Sequence, residues 1–119
     1  MKKSLDEHPD ARFYILADDL VTRGVERDNW DTFFNSARDV FDRRPLVPTI
    51  GNHERQGRLG PWMYLRLFTL PESGPMRVAP ETAYSFRYGN ALIVVLNSNA
   101  LPEEQSAWLE GQLKSTDAA

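Results

Sequence analysis

Two short apolar runs, each broken off by polar residues, constrain this chain more than any other feature. Residues 12–17 (Arg-Phe-Tyr-Ile-Leu-Ala) run into Asp18 and Asp19, and residues 46–50 (Leu-Val-Pro-Thr-Ile) run into Gly51-Asn52-His53-Glu54. Both runs are short and rich in β-formers, so each predicts a buried strand. Pro48 removes one ladder donor, which predicts an edge position or a kink. Between the runs, Trp30, Phe33, Phe34, Ala37, Val40 and Phe41 recur at helical spacing. They predict an amphipathic helix over 30–41, N-capped by Asp28, with Asp31 in its first turn and Pro45 closing it. If the two strands are parallel neighbours, both polar clusters face one crevice outside the carboxyl ends of the strands.

The remainder is ordered in the same manner. Residues 57–61 read as a loop, 62–68 as a short helix and 70–80 as a loop punctuated by Pro71, Gly74, Pro75 and Pro80. Tyr84, Phe86 and Tyr88 alternate with Ser85 and Arg87, and should pack one face of a sheet. Gly89-Asn90 then turns the chain, and 91–96 return as a hairpin strand. That strand is apolar on both faces, which predicts a central position. Pro102 opens a last helix with Glu103 and Glu104 in its first turn and Trp108, Leu109 and Leu113 on its apolar face. The expectation is an α/β domain over residues 1–119, a mixed sheet flanked by helices. Trp30, Phe33, Phe34, Phe41 and Trp108 are expected in the core, and His8 in an exposed polar leader.

Composition narrows the chemistry. The chain has 119 residues, a size that suits one modest domain, and a formal net charge of −3. That charge disfavours a nonspecific nucleic-acid or anionic-membrane binder, so neither partner is expected. An anionic phosphate substrate stays compatible if metal ions supply the positive charge. The absence of cysteine removes disulfides, thiolate metal sites and cysteine nucleophiles. Met1-Lys2-Lys3 is followed by polar residues, so no signal peptide is expected, nor a membrane span; the compartment stays open.

The two polar clusters offer metal and phosphate ligands. Asp19 could bridge two metal ions, which lie about 3.5–4 Å apart in two-metal sites. The Asn52 amide is a neutral ligand that limits the negative charge in the site. His53 could bind phosphate or donate a proton to a leaving group. Gly51 allows a sharp exit from the strand. The plainer alternatives are a turn at Asp18-Asp19 and a loop with a solvated His53. Arg55 and Arg58 could meet a phosphate, with a solvated loop as their plainer reading.

Leu16-Ala17-Asp18-Asp19-Leu20-Val21, Trp30 and Pro48-Thr49-Ile50-Gly51-Asn52-His53-Glu54 together resemble the calcineurin-like metallophosphoesterase family. The likeness is to its bacterial branch similar to purple acid phosphatases, and it continues through 84–90 and 104–109. The resemblance implies an αββα sandwich, of which this chain is a partial domain. It also implies a hydrolase that cleaves phosphate esters with two divalent or trivalent ions (Fe, Mn or Zn). By the same resemblance Asp19 bridges the metals, Asn52 binds one of them and His53 contacts the phosphate. Glu54 supports the loop, and Asp18 and Arg55 are further candidates near the substrate.

The departures carry information too. Asp18 stands where the family has Gly, and an extra carboxylate there either crowds the strand exit or joins the site. Thr22 replaces the metal-bound Tyr of the purple enzymes, and Asn97 stands where relatives often have Asp. The first Asp-x-His motif and the later Gly-His-x-His motif do not occur, so the chain is expected to start after the one and stop before the other. Two expectations follow: a central fragment of a phosphoesterase, or a non-catalytic remnant serving as a binding or interaction module. Unpaired sheet edges are expected to favour self-association.

Overall fold

The two apolar runs become a parallel pair. In a computed structural model that describes residues 2–17, 19–55 and 60–117, β1 (Tyr14–Leu16) lies beside β2 (Leu46–Pro48). Tyr14 faces Leu46, Ile15 faces Val47 and Leu16 faces Pro48. The Tyr14 amide donates to the Pro45 carbonyl and the Thr49 amide to the Leu16 carbonyl, each at 2.9 Å, which extends the ladder at both ends. Pro48, with no N–H to give, lies in a two-stranded sheet, where every strand is an edge. Asp18 and Arg58 fall outside the described residues.

Both strands are shorter than their apolar runs. Ahead of β1 the backbone is held by Arg44 instead of a strand partner: Nε donates to the Ala11 carbonyl at 2.6 Å and Nη2 to the Pro9 carbonyl at 3.1 Å. Residues 2–7, read from sequence as part of a polar leader, form a helix, α1 (Lys2–Glu7). Its Leu5 is buried, and His8 beyond it is exposed.

The predicted helix over 30–41 is two helices, α2 (Arg27–Ser36) and α3 (Arg38–Phe41), separated at Ala37. The Phe33 and Phe41 rings lie 5.3 Å apart. Eight residues of straight helix rise about 12 Å, so the break is what brings Phe41 back onto Phe33 and Phe34. The N-cap also moves. Glu26, extended and without a side-chain cap bond, holds that position, and Asp28 sits in the first turn. The cause is upstream: the Trp30 indole donates to the Gly24 carbonyl at 2.9 Å, which starts the helix early. Trp30 is fully buried, whereas Phe33, Phe34 and Phe41 are half-buried. Tyr64 of α4 (Trp62–Leu67) is buried as well, its hydroxyl 3.3 Å from the Pro48 carbonyl it donates to.

The chain divides into two compact units, Met1–Tyr64 and Leu65–Ala119. In the second, β3 (Tyr84–Tyr88) and β4 (Ala91–Val95) form an antiparallel hairpin in which Tyr84 faces Val95 and Tyr88 faces Ala91. Gly89 has φ 59°, at the first turn position where a type II′ hairpin wants glycine. The mixed sheet of the sequence reading is therefore two separate two-stranded sheets, one parallel and one antiparallel. Nor is β4 central among the described residues. Leu92, Ile93 and Val94 are half-buried, and a β-branched run suits an edge as well as a centre.

The last helix, α5 (Pro102–Asp117), carries Glu103 and Glu104 in its first turn. Trp108 is half-buried, not core, because its indole N–H reaches out to the Ser73 carbonyl at 3.0 Å. Leu113 is exposed, and so is Tyr88 beside the hairpin turn. Tyr84, at the other end of β3, is buried.

Two outcomes follow from the tyrosines. The Tyr14 hydroxyl is buried and has no hydrogen-bond partner among the described residues. Such a group costs about 1–3 kcal/mol, so Tyr14→Phe should leave the melting temperature unchanged or raise it; a marked drop would contradict the packing. Burial pushes the Tyr84 hydroxyl above its ordinary 10.0. Its folded-state value is raised, so its contribution is fully present below about pH 10 and is lost as pH rises from there toward that value. Thermal melts should show an alkaline decline starting near pH 10 that is shallower in Tyr84→Phe.

Candidate functional site

Parallel pairing carries the two polar clusters to the same end of the sheet. There Gly51 crosses Asp19 so closely that a Cβ on residue 51 would lie 2.0 Å from Asp19 Oδ1 and 2.7 Å from the Asp19 amide nitrogen. Glycine is required at this crossing for space. The Asp19 carboxylate then reaches the second cluster: Oδ1 accepts the His53 amide at 3.0 Å, and Oδ2 lies 3.6 Å from His53 Nε2. The two side chains remain about a third exposed, at 30% and 36%, so both are open to a ligand.

The imidazole is fixed from behind. His53 Nδ1 is 2.5 Å from the Thr22 carbonyl oxygen. A carbonyl only accepts, so Nδ1 carries the proton. In the neutral ring Nε2 then turns a lone pair toward the Asp19 carboxylate. That arrangement is satisfied by a proton or a cation between the two groups.

Glu54 is the hidden member of the motif. It is fully buried, and its carboxylate joins both strand-end loops: Oε1 accepts the Leu20 amide at 2.8 Å and the Val21 amide at 3.0 Å, and Oε2 accepts the Gly51 amide at 2.8 Å. With both oxygens engaged on backbone, it is out of reach of any substrate. Gly24 closes the arrangement. Its amide donates to the His53 carbonyl at 2.9 Å, and a Cβ there would fall 2.4 Å from Glu54 Cα. Trp30 grips the Gly24 carbonyl in turn, which ties α2 to the motif.

Asn52 and Arg55 are exposed on the turn, whose closing bond runs from the Arg55 amide to the Asn52 carbonyl at 3.3 Å. The structure thus brings Asp19, His53 and Glu54 together. It sets Asn52 beside them in the chain, and the region of Asp18 is not described. Beside Asp19 and His53 opens a groove of about 560 Å³ whose walls include Thr22 and the α2 residues Asp28, Asn29, Thr32, Phe33 and Ser36. From sequence, that side of α2 is only the polar side of an amphipathic helix. The signal was the four-residue spacing of Asp28, Thr32 and Ser36.

The donors suit a hard or borderline cation in kind: a carboxylate, an amide and an imidazole. In number they fall short, for among the described residues no group of three or more His, Cys, Asp or Glu side chains is placed to hold a metal ion.

Comparison with known proteins gives a partial relationship. Over 128 residues, covering 97% of this chain, the sequence is 32% identical to an Arabidopsis thaliana protein named probable purple acid phosphatase 20. An uncharacterised protein of Mycobacterium tuberculosis, found in two strains, is 25% identical over 121 residues, 85% of this chain. The chain spans 29% of the plant protein's length and 23% of the mycobacterial one's, less than a third of either relative. No family model matches the chain, and no solved structure matches it. The likeness is that of a phosphoesterase-like relative.

The Glu54 junction predicts the response to substitution. Glu54→Gln sets an NH₂ group against a buried amide donor and should cost about 1–3 kcal/mol per unsatisfied group, read as a lower urea midpoint. Gly51→Ala should destabilise as well and displace Asp19, visible as shifts of the His53 ring resonances in NMR spectra. A Gly51→Ala chain with unchanged stability and spectra would contradict the close crossing.

Proposed function

We propose that this chain is part of a calcineurin-like phosphoesterase domain, an αββα sandwich whose dinuclear metal site hydrolyses phosphate esters. One observation carries the reading: Asp19 and His53, from the ends of two parallel strands, meet within 3.6 Å in a solvent-open crevice, over a glycine that nothing larger could replace. The partial likeness to a probable purple acid phosphatase supports it. In this reading Asp19 and Asn52 would be among the residues that hold the ions, together with ligands that are not among the described residues. When bound, the ions supply the positive charge that offsets the charge developing on the phosphate.

The chain's own residues then do the following. His53, held by the Thr22 carbonyl at Nδ1, turns Nε2 toward the crevice. There, once Nε2 is protonated, it donates to a phosphate oxygen and passes that proton to the departing alcohol oxygen. Glu54 fixes the positions of Asp19 and His53 by clamping the backbone on both sides.

A second reading is favoured by the short supply of metal donors among the described residues: a non-catalytic module that keeps the ancestral corner and binds without turnover. One experiment separates the two. The full natural polypeptide that contains this chain, loaded with Mn²⁺, Fe or Zn²⁺, should hydrolyse an aryl phosphate. Asp19→Asn and His53→Ala should each lower kcat at least about a hundredfold. Loss of all metal-dependent turnover in the unaltered protein, with no stoichiometric metal bound, would leave the binding module standing.

A further inference from the structure

The groove beside Asp19 and His53 is large enough, at about 560 Å³, to hold a small-molecule substituent. Its α2 wall has an unusual hydrogen-bonding character. The Thr32 hydroxyl gives its proton to the Asp28 carbonyl and the Ser36 hydroxyl gives its proton to the Phe33 carbonyl, both at 2.8 Å. In this arrangement each hydroxyl turns lone pairs toward a ligand. The Asn29 amide nitrogen gives one of its two protons to Glu26 Oε2 at 3.0 Å, and the Asp28 and Asp19 carboxylates only accept.

Positive charge is missing from the same wall. No lysine or arginine lines the groove among the described residues. The nearest arginines in sequence are held elsewhere: Arg27 pairs with Asp31 at 2.9 Å and Arg23 with Glu26 at 2.7 Å. The half-buried ring of Phe33 adds an apolar patch of the kind that accommodates a cation.

We propose that this groove receives the alcohol part of a phosphate monoester, and that this part carries a cationic N–H-bearing group: the substrate class is an amino-alcohol phosphate. The inference rests on the phosphoesterase reading above. The phosphate lies at the Asp19–His53 end, and the ammonium gives its protons to Asp28 and to the lone pairs of Thr32 and Ser36. An alcohol bearing a carboxylate or a second phosphate meets the Asp28 carboxylate there with no basic side chain of the described lining to offset it, and is disfavoured.

The test uses two esters of equal length and opposite charge, phosphoethanolamine and phosphoglycolate, on the metal-loaded full natural polypeptide. The ratio of their kcat/KM values should favour phosphoethanolamine by at least about tenfold. Asp28→Asn should bring the ratio several-fold closer to one. Thr32→Val, a change of similar shape at an exposed helix position, should lower it too, and carries the test if Asp28→Asn fails to fold. An aryl phosphate is assayed alongside. Turnover of the aryl ester with no preference between the two charged esters, or a preference untouched in both folded variants, overturns this inference alone. No turnover of any ester overturns the phosphoesterase reading, and this inference with it.

Discussion

Three backbone amides converge on the buried Glu54 carboxylate, and the geometry of the strand ends depends on that convergence. Leu20 and Val21 belong to the loop after β1, and Gly51 to the exit from β2. One side chain thus replaces the ladder bonds that the two strands lose where they separate. An aspartate in its place would be one methylene shorter. A glutamine could accept with one terminal atom but not with both. Two further requirements follow from drawing the loops this close: residue 51 passes Asp19 and residue 24 passes Glu54, and neither has room for a Cβ. The exposed pair, Asp19 and His53, is consequently positioned by residues that a ligand never touches.

A comparable junction in the second unit is built without charge. Gln105, on α5, accepts the Asn97 amide at 2.7 Å and donates to the Asn97 carbonyl at 2.7 Å and the Ala100 carbonyl at 3.0 Å. The Asn97 side chain donates to Thr82 Oγ1 at 3.0 Å, and that hydroxyl donates onward to the Ala79 carbonyl at 2.7 Å. The Thr82 proton is already committed, so residue 97 must be a donor. An ionised aspartate has no proton to give, which is a physical reason for an amide at the end of this strand. Thr82, Asn97 and Gln105 are all buried, as a satisfied polar network allows.

The parts of this structure legible from sequence were those carried by periodicity and turn chemistry. Alternation over Tyr84, Phe86 and Tyr88 with Gly89-Asn90 marked the hairpin, and the two apolar runs ending in polar clusters marked the parallel pair. What escaped was set by side chains acting at a distance along the chain. Nothing local announces that Arg44 holds the carbonyls of Pro9 and Ala11, or that Trp30 holds that of Gly24 and so advances the helix start. The break at Ala37 is likewise not announced by the 30–41 pattern, which is continuous, and it accompanies the packing of Phe41 on Phe33 and Phe34. In the candidate site the motif itself was legible, but the contacts that hold it were not. Sequence gives four adjacent residues, and the structure separates an inward Glu54 from an outward His53 and lays Gly51 across Asp19.

Charge balance links the site to its chemistry. A phosphate entering the crevice meets the Asp19 carboxylate, the His53 Nε2 atom and, farther along the groove, the Asp28 carboxylate. None of these attracts an anion in its unprotonated state, and no basic side chain lines the groove among the described residues to offset them. By themselves these residues repel the group they are proposed to cleave. The phosphoesterase reading is therefore coherent only if cations stand between Asp19 and the phosphate, which is the role the dinuclear site fills in it. The same deficit persists along Asp28, Thr32 and Ser36, where in the proposed reading the alcohol part of the substrate supplies the positive charge. In the proposed reading, acceptors at both ends of one groove are met by two kinds of cation, a metal at the phosphate and an ammonium on the alcohol.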